Sequence, residues 1–381
     1  MQATRLRPHC RPSRGLTLIE LMVAMAIGLV LVLSMLVLYV NIARNQAQLG
    51  NTGRQVENGK FALQLLQDDV RHAGFWGDYL PRYDDKGLAT PADFPTALPG
   101  PCLGYSTANW NAAYIRNLMA IAVQGYNAAN PPSDCDTLLA NRATGTDILL
   151  VRYAENCIPG QTNCDAEKTG RLYFQSSRCT VEMSDPNKRF VLSTTGFNLR
   201  ANITCPAVSP ATDTLAAKRR FVSNIYYVRN YSVTAGDGIP TLVRSSFNLN
   251  GSTLEYQPPQ PLIEGIQGLR VEYGIDNLGR NGLAANYDST AGAINRGDGV
   301  PDTYITCPKA GGTACNHNDM FHVVSARLHV LARNLETTPG HQDTKTYVLA
   351  GTTYGPFNDG FIRRTYSTTV RLMNPAGRRE P

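Results

Sequence analysis

Four sets of residues have types and spacing that could do chemistry. The first is a lone acid, Glu20, inside an otherwise apolar run over residues 16–40. A carboxylate at membrane depth costs several kcal/mol and marks a functional position, so it calls for a partner. The second is the cysteines, nine in all. Cys10 precedes the apolar run. An even eight remain, Cys102, Cys135, Cys157, Cys164, Cys179, Cys205, Cys307 and Cys315, which in an exported head predicts four disulfides. The spacings fall into loop-closing pairs, so local pairing is expected, although sequence alone leaves many pairings open. Cys307, Cys315, His317 and His322 are ligand-type residues that could instead hold zinc, but they lack the tight C-x-x-C spacing of a zinc module.

The third set is carboxylates. Asp68-Asp69 fall on an exposed helix face and are expected to be solvated. Asp276 closes a strand, and "NRGDGVPD" carries Asp298 and Asp302 in a Gly-rich loop. Calcium is the candidate metal there. The tract "NLGRNGLAANYDSTAGAI" separates Asp276 from the other two, and ordinary turns also require Asp, Asn and Gly. The fourth set is the basic clusters Lys218-Arg219-Arg220 and Arg363-Arg364. They could touch DNA, but no stacking platform accompanies them, so no nucleic-acid partner is expected. No G-x-S-x-G, P-loop, G-x-G-x-x-G or H-E-x-x-H occurs. With six histidines, one of them His9, the chain offers little for catalysis. Neither an enzyme nor a cofactor is expected.

The elements that position these residues follow from charge and hydropathy. Of the formal +6, Arg5, Arg7, Arg11 and Arg14 put +4 into the first 15 residues, leaving a near-neutral body. Residues 16–40 as a helix span roughly 37 Å, enough to cross a bilayer core of about 30 Å. The preceding arginines keep the N-terminus in the cytoplasm and place the rest outside. A secretory signal has a shorter apolar core followed by a cut site; the only A-x-A in the run, Ala24-Met25-Ala26, lies mid-run. Met35, Ile42, Leu49, Val56, Leu63 and Val70 recur every seven residues, with Leu66 and Ala73 beside the last two, which predicts one apolar stripe on a continued helix. Gly50, Gly53 and Gly59 are expected to kink or melt its middle. "GFWGDYLP" ends it. From about residue 145, eight β-branched and aromatic runs with partial alternation read as strands, from "DILLVRYA" to "IRRTYSTTVRLM". No helical segments alternate with them, so the sheet is antiparallel and the class α+β. Residues 82–144 and 277–320 read as long irregular insertions.

The stretch "RGLTLIELMVA", residues 14–24, resembles the class III signal of type IV prepilins. The resemblance implies cleavage by a prepilin peptidase after Gly15, N-methylation of Leu16, and Glu20 as the acid that pairs with a neighbouring subunit's amine in a filament. Leu16 departs from the phenylalanine usual there. "LQLLQDDVRHAGFWG" (63–77), "PLIEGIQGLRVEYGID" (261–276) and "FIRRTYSTTVRLMNP" (361–375) are similar to blocks of PilW-type minor pilins.

The resulting expectation has four parts: a leader over 1–15, a transmembrane and filament-core helix over 16–40, an amphipathic helix packed on the head over 41–74, and a periplasmic β-rich head over 75–381. The fold is a type IV pilin-like α+β arrangement, a long helix on an antiparallel sheet. The function implied is a minor pilin in pilus assembly and initiation, in the tip complex. A minor pseudopilin of type II secretion, or a tip module binding DNA or surfaces, is the alternative. Partners implied are other minor pilins and the major pilin, the prepilin peptidase, the inner-membrane assembly platform and a tip adhesin. The location implied is the inner membrane, single-pass, with the head extracellular once assembled.

Overall fold

The computed structural model describes residues 15, 17–79, 94–185, 187–205, 214–285 and 297–379. Two compact units divide between Gly53 and Arg54. Helix α1 covers Leu18–His72. Its residues up to Gly53 belong to the first unit, in which the large apolar side chains from Leu18 to Ile42 are exposed, from 43% at Val40 to 77% at Leu18. Leu49 is also exposed. The expected break at Gly50, Gly53 or Gly59 does not occur. Each glycine costs about 1 kcal/mol of intrinsic propensity, too little to stop a helix already nucleated on both sides.

In the second unit the buried face of α1 is Gln55, Gly59, Ala62, Leu63, Leu66 and Val70, at alternating steps of about a helical turn. Gly59 has a packing reason: a Cβ there would lie 2.3 Å from the Tyr366 ring. Gln55 and Asn58 on this half of α1 reach main-chain carbonyls. Gln55 Nε2 donates to Ala332 O (3.0 Å) and Ile362 O (2.7 Å), and Asn58 Nδ2 to Glu264 O (3.1 Å).

Strands β1 (Val123–Asn127), β2 (Asp147–Ala154), β3 (Tyr173–Ser176), β4 (Phe190–Ser193), β5 (Lys218–Arg229), β6 (Thr241–Asn250), β7 (Thr253–Tyr256) and β8 (Gln260–Glu264) form one sheet. Its order is β1-β2-β5-β3-β4, with β6 paired to β5 and carrying β7 and β8. A four-stranded sheet has the order β10-β9-β11-β14, from β9 (Ile266–Ile275), β10 (Thr303–Thr306), β11 (Val323–Arg333) and β14 (Arg363–Arg371). Between the last two, β12 (Tyr347–Leu349) and β13 (Thr352–Tyr354) form a ribbon. The strand ladders are antiparallel. Helices α2 (Ala112–Ala120), α3 (Thr180–Ser184), α4 (His317–Phe321) and α5 (Met373–Gly377) sit in the connections and after β14.

Two apolar clusters explain why the large sheet's strands alternate only partially. Leu149, Val151, Tyr226, Val228 and Leu242 join the α1 face and the inner side chains of the four-stranded sheet, among them Leu269, Val271, Leu328 and Val330. The neighbours Ile148, Leu150, Ile225, Tyr227 and Val243 pack into a second cluster with Trp76, Trp110, Leu118 and Met119. Both faces of β2, β5 and β6 are therefore buried, and such strands read as continuous apolar runs. At about 1.5–3 kcal/mol per buried large side chain, this second layer is as consequential as the first.

That second layer corrects the expectation of irregular insertions. The tract 82–144 supplies β1, paired over five residues with β2, and α2, whose N-cap Asn111 accepts a hydrogen bond from the Tyr114 N–H. The tract 277–320 supplies β10 and most of α4. The C-terminal segment closes the end of α1. Gly74 takes the left-handed conformation (φ 72°) usual just beyond a helix. Asn374 Nδ2 donates to His72 O (3.4 Å) and Ala73 O (3.1 Å), and Arg378 Nη2 to Gly74 O (3.2 Å). These bonds satisfy carbonyls that a helix end leaves without partners.

Candidate functional site

At the start of α1, Thr17 is the N-cap. Its main-chain N–H and its hydroxyl both donate to Glu20 Oε2, each at 2.9 Å, and the Glu20 N–H donates to Thr17 Oγ1 at 3.3 Å. This is a reciprocal capping box, and T-L-I-E ahead of an apolar run is its sequence signature. Reading Glu20 only as an intersubunit acid misses this local role. Gly15 is exposed, with nothing within 4 Å of where a Cβ would stand. Leu16 lies outside the described residues, as do the leader arginines and Cys10. Among the described residues α1 is the one helix long and apolar enough to cross a membrane. A helix apolar on all sides, with its first unit exposed in its own chain, needs lipid or other subunits to cover it.

Asp68 is exposed, but Asp69 is not the solvated residue expected. Its carboxylate accepts from Tyr153 OH (2.6 Å), Asn224 Nδ2 (2.7 Å) and Tyr226 OH (2.7 Å), tying α1 to β2 and β5. Burial, reinforced by the Asp69 charge, pushes the Tyr226 hydroxyl well above its ordinary range, so it remains a donor.

The calcium candidates Asp276, Asp298 and Asp302 accept main-chain N–H groups of a turn. Asp276 is fully buried, and its carboxylate accepts main-chain N–H groups from Asp298 (3.2 Å) and Gly299 (2.9 Å). Arg379 Nη1 donates to Asp276 O at 2.9 Å and lies 3.4 Å from Oδ2. Asp302 Oδ2 accepts from the Asn277 and Leu278 N–H groups, and Asp298 Oδ1 from the Val300 N–H. Burial raises Asp276 above the usual carboxylate range, with Arg379 opposing. His322 packs against the same arginine, its Nδ1 3.2 Å from Arg379 Nη1. Burial and then the Arg379 charge hold it down to about 3, so it is neutral. Among the described residues no group of three or more His, Cys, Asp or Glu side chains could hold a metal ion.

The disulfides join consecutive cysteines: Cys102–Cys135, Cys157–Cys164, Cys179–Cys205 and Cys307–Cys315. Cys307 and Cys315 are thus bonded to each other and not free to ligate zinc. Four residues of the basic clusters, Lys218, Arg219, Arg220 and Arg363, are engaged within the head. Lys218 pairs with Glu167 and Arg220 with Glu155, while Arg219 lies over the Phe75 ring. Arg363 is buried between Asp343 and Asp359 and stacks on Phe357.

Sequence reasoning missed one tie between the sheets. Asp147 on β2 pairs with Arg270 on β9 at 2.5 Å and accepts the Val271 N–H at 2.9 Å. Burial pushes Asp147 up to about 7 despite both partners. Nothing in "TGTDILL" marks it; an Asp at a strand start ordinarily reads as a turn residue.

These features agree with comparisons to known proteins. The prokaryotic N-terminal methylation motif matches residues 10–36, and the family of type IV pilus-assembly protein W matches residues 225–374, from within β5 to α5. No curated protein matches the chain. A type IV-like pilin from Thermus thermophilus is similar in structure at 10% identity, with a TM-score of 0.33, covering 84% of this chain and 97% of that one. The methylation motif falls on the capped, exposed apolar helix and the assembly-family match on strands of both sheets, so residues 10–36 carry a class III prepilin signal and residues 225–374 are similar to PilW-type minor pilins of the type IV pilus.

Proposed function

We propose that the chain takes part in initiating type IV pilus assembly, as a subunit of the tip complex. Its mature form begins at Leu16, after a prepilin peptidase cuts behind Gly15, and Leu16 is then N-methylated. Before assembly the helix is held in the inner membrane in a single pass with the head in the periplasm. Its partners are other minor pilins, the major pilin, the assembly platform and a tip adhesin. The observation that carries this reading is the first unit of α1, whose large apolar side chains are exposed from Leu18 to Ile42 and whose sole acid in that span is Glu20. In a bundle of such helices, Glu20 can exchange its local donors for the amine of a neighbouring subunit. A buried pair of this kind adds little raw stability but is costly to break, which suits a register device.

The test is a comparison of sheared pili with the membrane pool. Deletion of the chain is expected to abolish piliation, and restoration with Glu20→Ala to leave membrane insertion and cleavage intact while depleting the protein from pili. Piliation unchanged on deletion, with loss of protein secretion, would assign the chain to a secretion pseudopilus instead.

A further inference from the structure

We propose an anion site inside the head: Arg152 on β2 holds a single monovalent anion of halide size, with the hydroxyls of Tyr126 and Tyr256 as its further donors. The site goes beyond the pilus reading and does not depend on it. Arg152 is 1% exposed and is among the largest fully buried side chains of the head. Its Nη1 makes one long hydrogen bond, to Ile121 O at 3.4 Å, and its Nη2 is buried without a partner. Among the described residues no carboxylate forms an ion pair with it. Arg270 and Arg363, buried elsewhere in the head, are ion-paired with aspartates. A guanidinium cannot shed its charge, and a buried ion without a counter-charge is strongly destabilising.

Strand register gathers the other donors. Arg152 lies opposite Ser223 on β5, and Gln124 on β1 lies opposite Leu150, two residues along the same face of β2. That face carries Ile148 and Leu150 into the second apolar cluster. Ser223 Oγ is 2.6 Å from Tyr256 OH, and with the serine as donor the Tyr256 proton is free. Gln124 Nε2 donates to Tyr126 OH at 2.8 Å, so the Tyr126 proton is free as well. Burial pushes both tyrosine hydroxyls up, with the Arg152 charge opposing, so both remain donors.

Charge decides the ligand. A water would occupy the donors but leave the cation uncompensated, and a divalent anion would leave a net negative charge buried. One guanidinium with neutral hydroxyls calls for one negative charge. The Asp134 carboxylate acts on the same two tyrosines, but Asp134 is exposed, its Oδ2 accepts the Cys102 N–H at 3.0 Å, and it is not ion-paired with Arg152. Gln124 Oε1 is a buried acceptor without a partner, which a water beside the anion can satisfy. Ile121 is the C-cap of α2, and Gln124 Nε2 also donates to Pro99 O at 3.1 Å. The anion therefore sits where the layer behind the large sheet meets β2, and its binding stabilises the folded head by mass action.

The experiment melts the detergent-solubilised full chain in sodium gluconate, sodium chloride and sodium bromide at one fixed ionic strength. Both halides are expected to raise the melting temperature by about 2–4 °C over gluconate, which is too large for the interior, and to do so saturably. Arg152→Met, similar in reach and uncharged, should melt at one temperature in all three salts. A wild-type midpoint indifferent to halide, as for a buried water alone, overturns the proposal, and so does a halide response that persists in Arg152→Met. If Arg152→Met does not fold, crystals of the wild-type chain grown in bromide decide the matter. Anomalous scattering from a bromide beside Arg152 Nη2 is expected, and its absence there overturns the site.

Discussion

Before any cleavage, both donors of Thr17 converge on one carboxylate oxygen of Glu20, holding the charge at the end of α1 where helix N–H groups are exposed. An amine created at Leu16 would be one residue away along the chain, so the acid that caps the helix is also placed to meet an amine in a bundle. His322 is the opposite case, a titratable group kept neutral. Its folded value of about 3 lies below the ordinary 6.5. Its contribution is therefore fully present above pH 6.5 and is lost as the pH falls toward 3, by up to about 1.4 kcal/mol per pH unit. Asp147 runs the other way across an overlapping window. Raised to about 7, it contributes most below its ordinary 3.8, and that contribution is lost as the pH rises to 7. The two partly cancel in the intact protein, so the difference between wild type and His322→Gln isolates the histidine. Melting of the detergent-solubilised protein should show the difference shrinking steadily from about pH 6.5 to 4; a pH-independent difference would contradict a neutral buried His322.

At the scale of elements, the seat of α1 on the head depends on what Gly59 lacks. The Tyr366 ring occupies the space a Cβ at residue 59 would need, so Gly59→Ala should destabilise the head even though alanine favours the helix by about 1 kcal/mol. In a Tyr366→Ala background the same change should become stabilising by about that amount. Equal effects in both backgrounds, measured by chemical denaturation, would disprove the contact. The glycine was legible in the sequence only as a weak point in a helix, because its reason lies more than 300 residues away. The same limit governed the sheets. The long strands β2, β5, β6, β9, β11 and β14 announce themselves by β-branched and aromatic runs. β1 carries Gln124, Gly125 and Asn127 in five residues, and β12 and β13 have three residues each, too short for a pattern. Asp69 was legible as a helix-face acid; the donors from β2 and β5 that claim it belong to tertiary structure.

Across the whole molecule, four cross-links hold the loop-rich parts of the head. Loop length ranks them. The 33-residue separation of Cys102–Cys135 predicts about 4 kcal/mol on opening, and the 7-residue separation of Cys157–Cys164 about 2 kcal/mol. Paired serine substitutions followed by denaturant titration should reproduce that order; a larger loss at Cys157–Cys164 would contradict it. Spacing pointed to local pairing of the cysteines without fixing the partners, and the packing of the 82–144 tract behind the large sheet was not readable, since it depends on contacts with strands distant in the chain. The central claim is that this head is carried into a filament by a processed, apolar helix. The most direct measurement is the N-terminal mass of the protein recovered from sheared pili. The expected product is a chain beginning with N-methylated Leu16. A chain that begins after Ala26 or Ala43, or that retains residues 1–15 and stays wholly in the membrane, would contradict it.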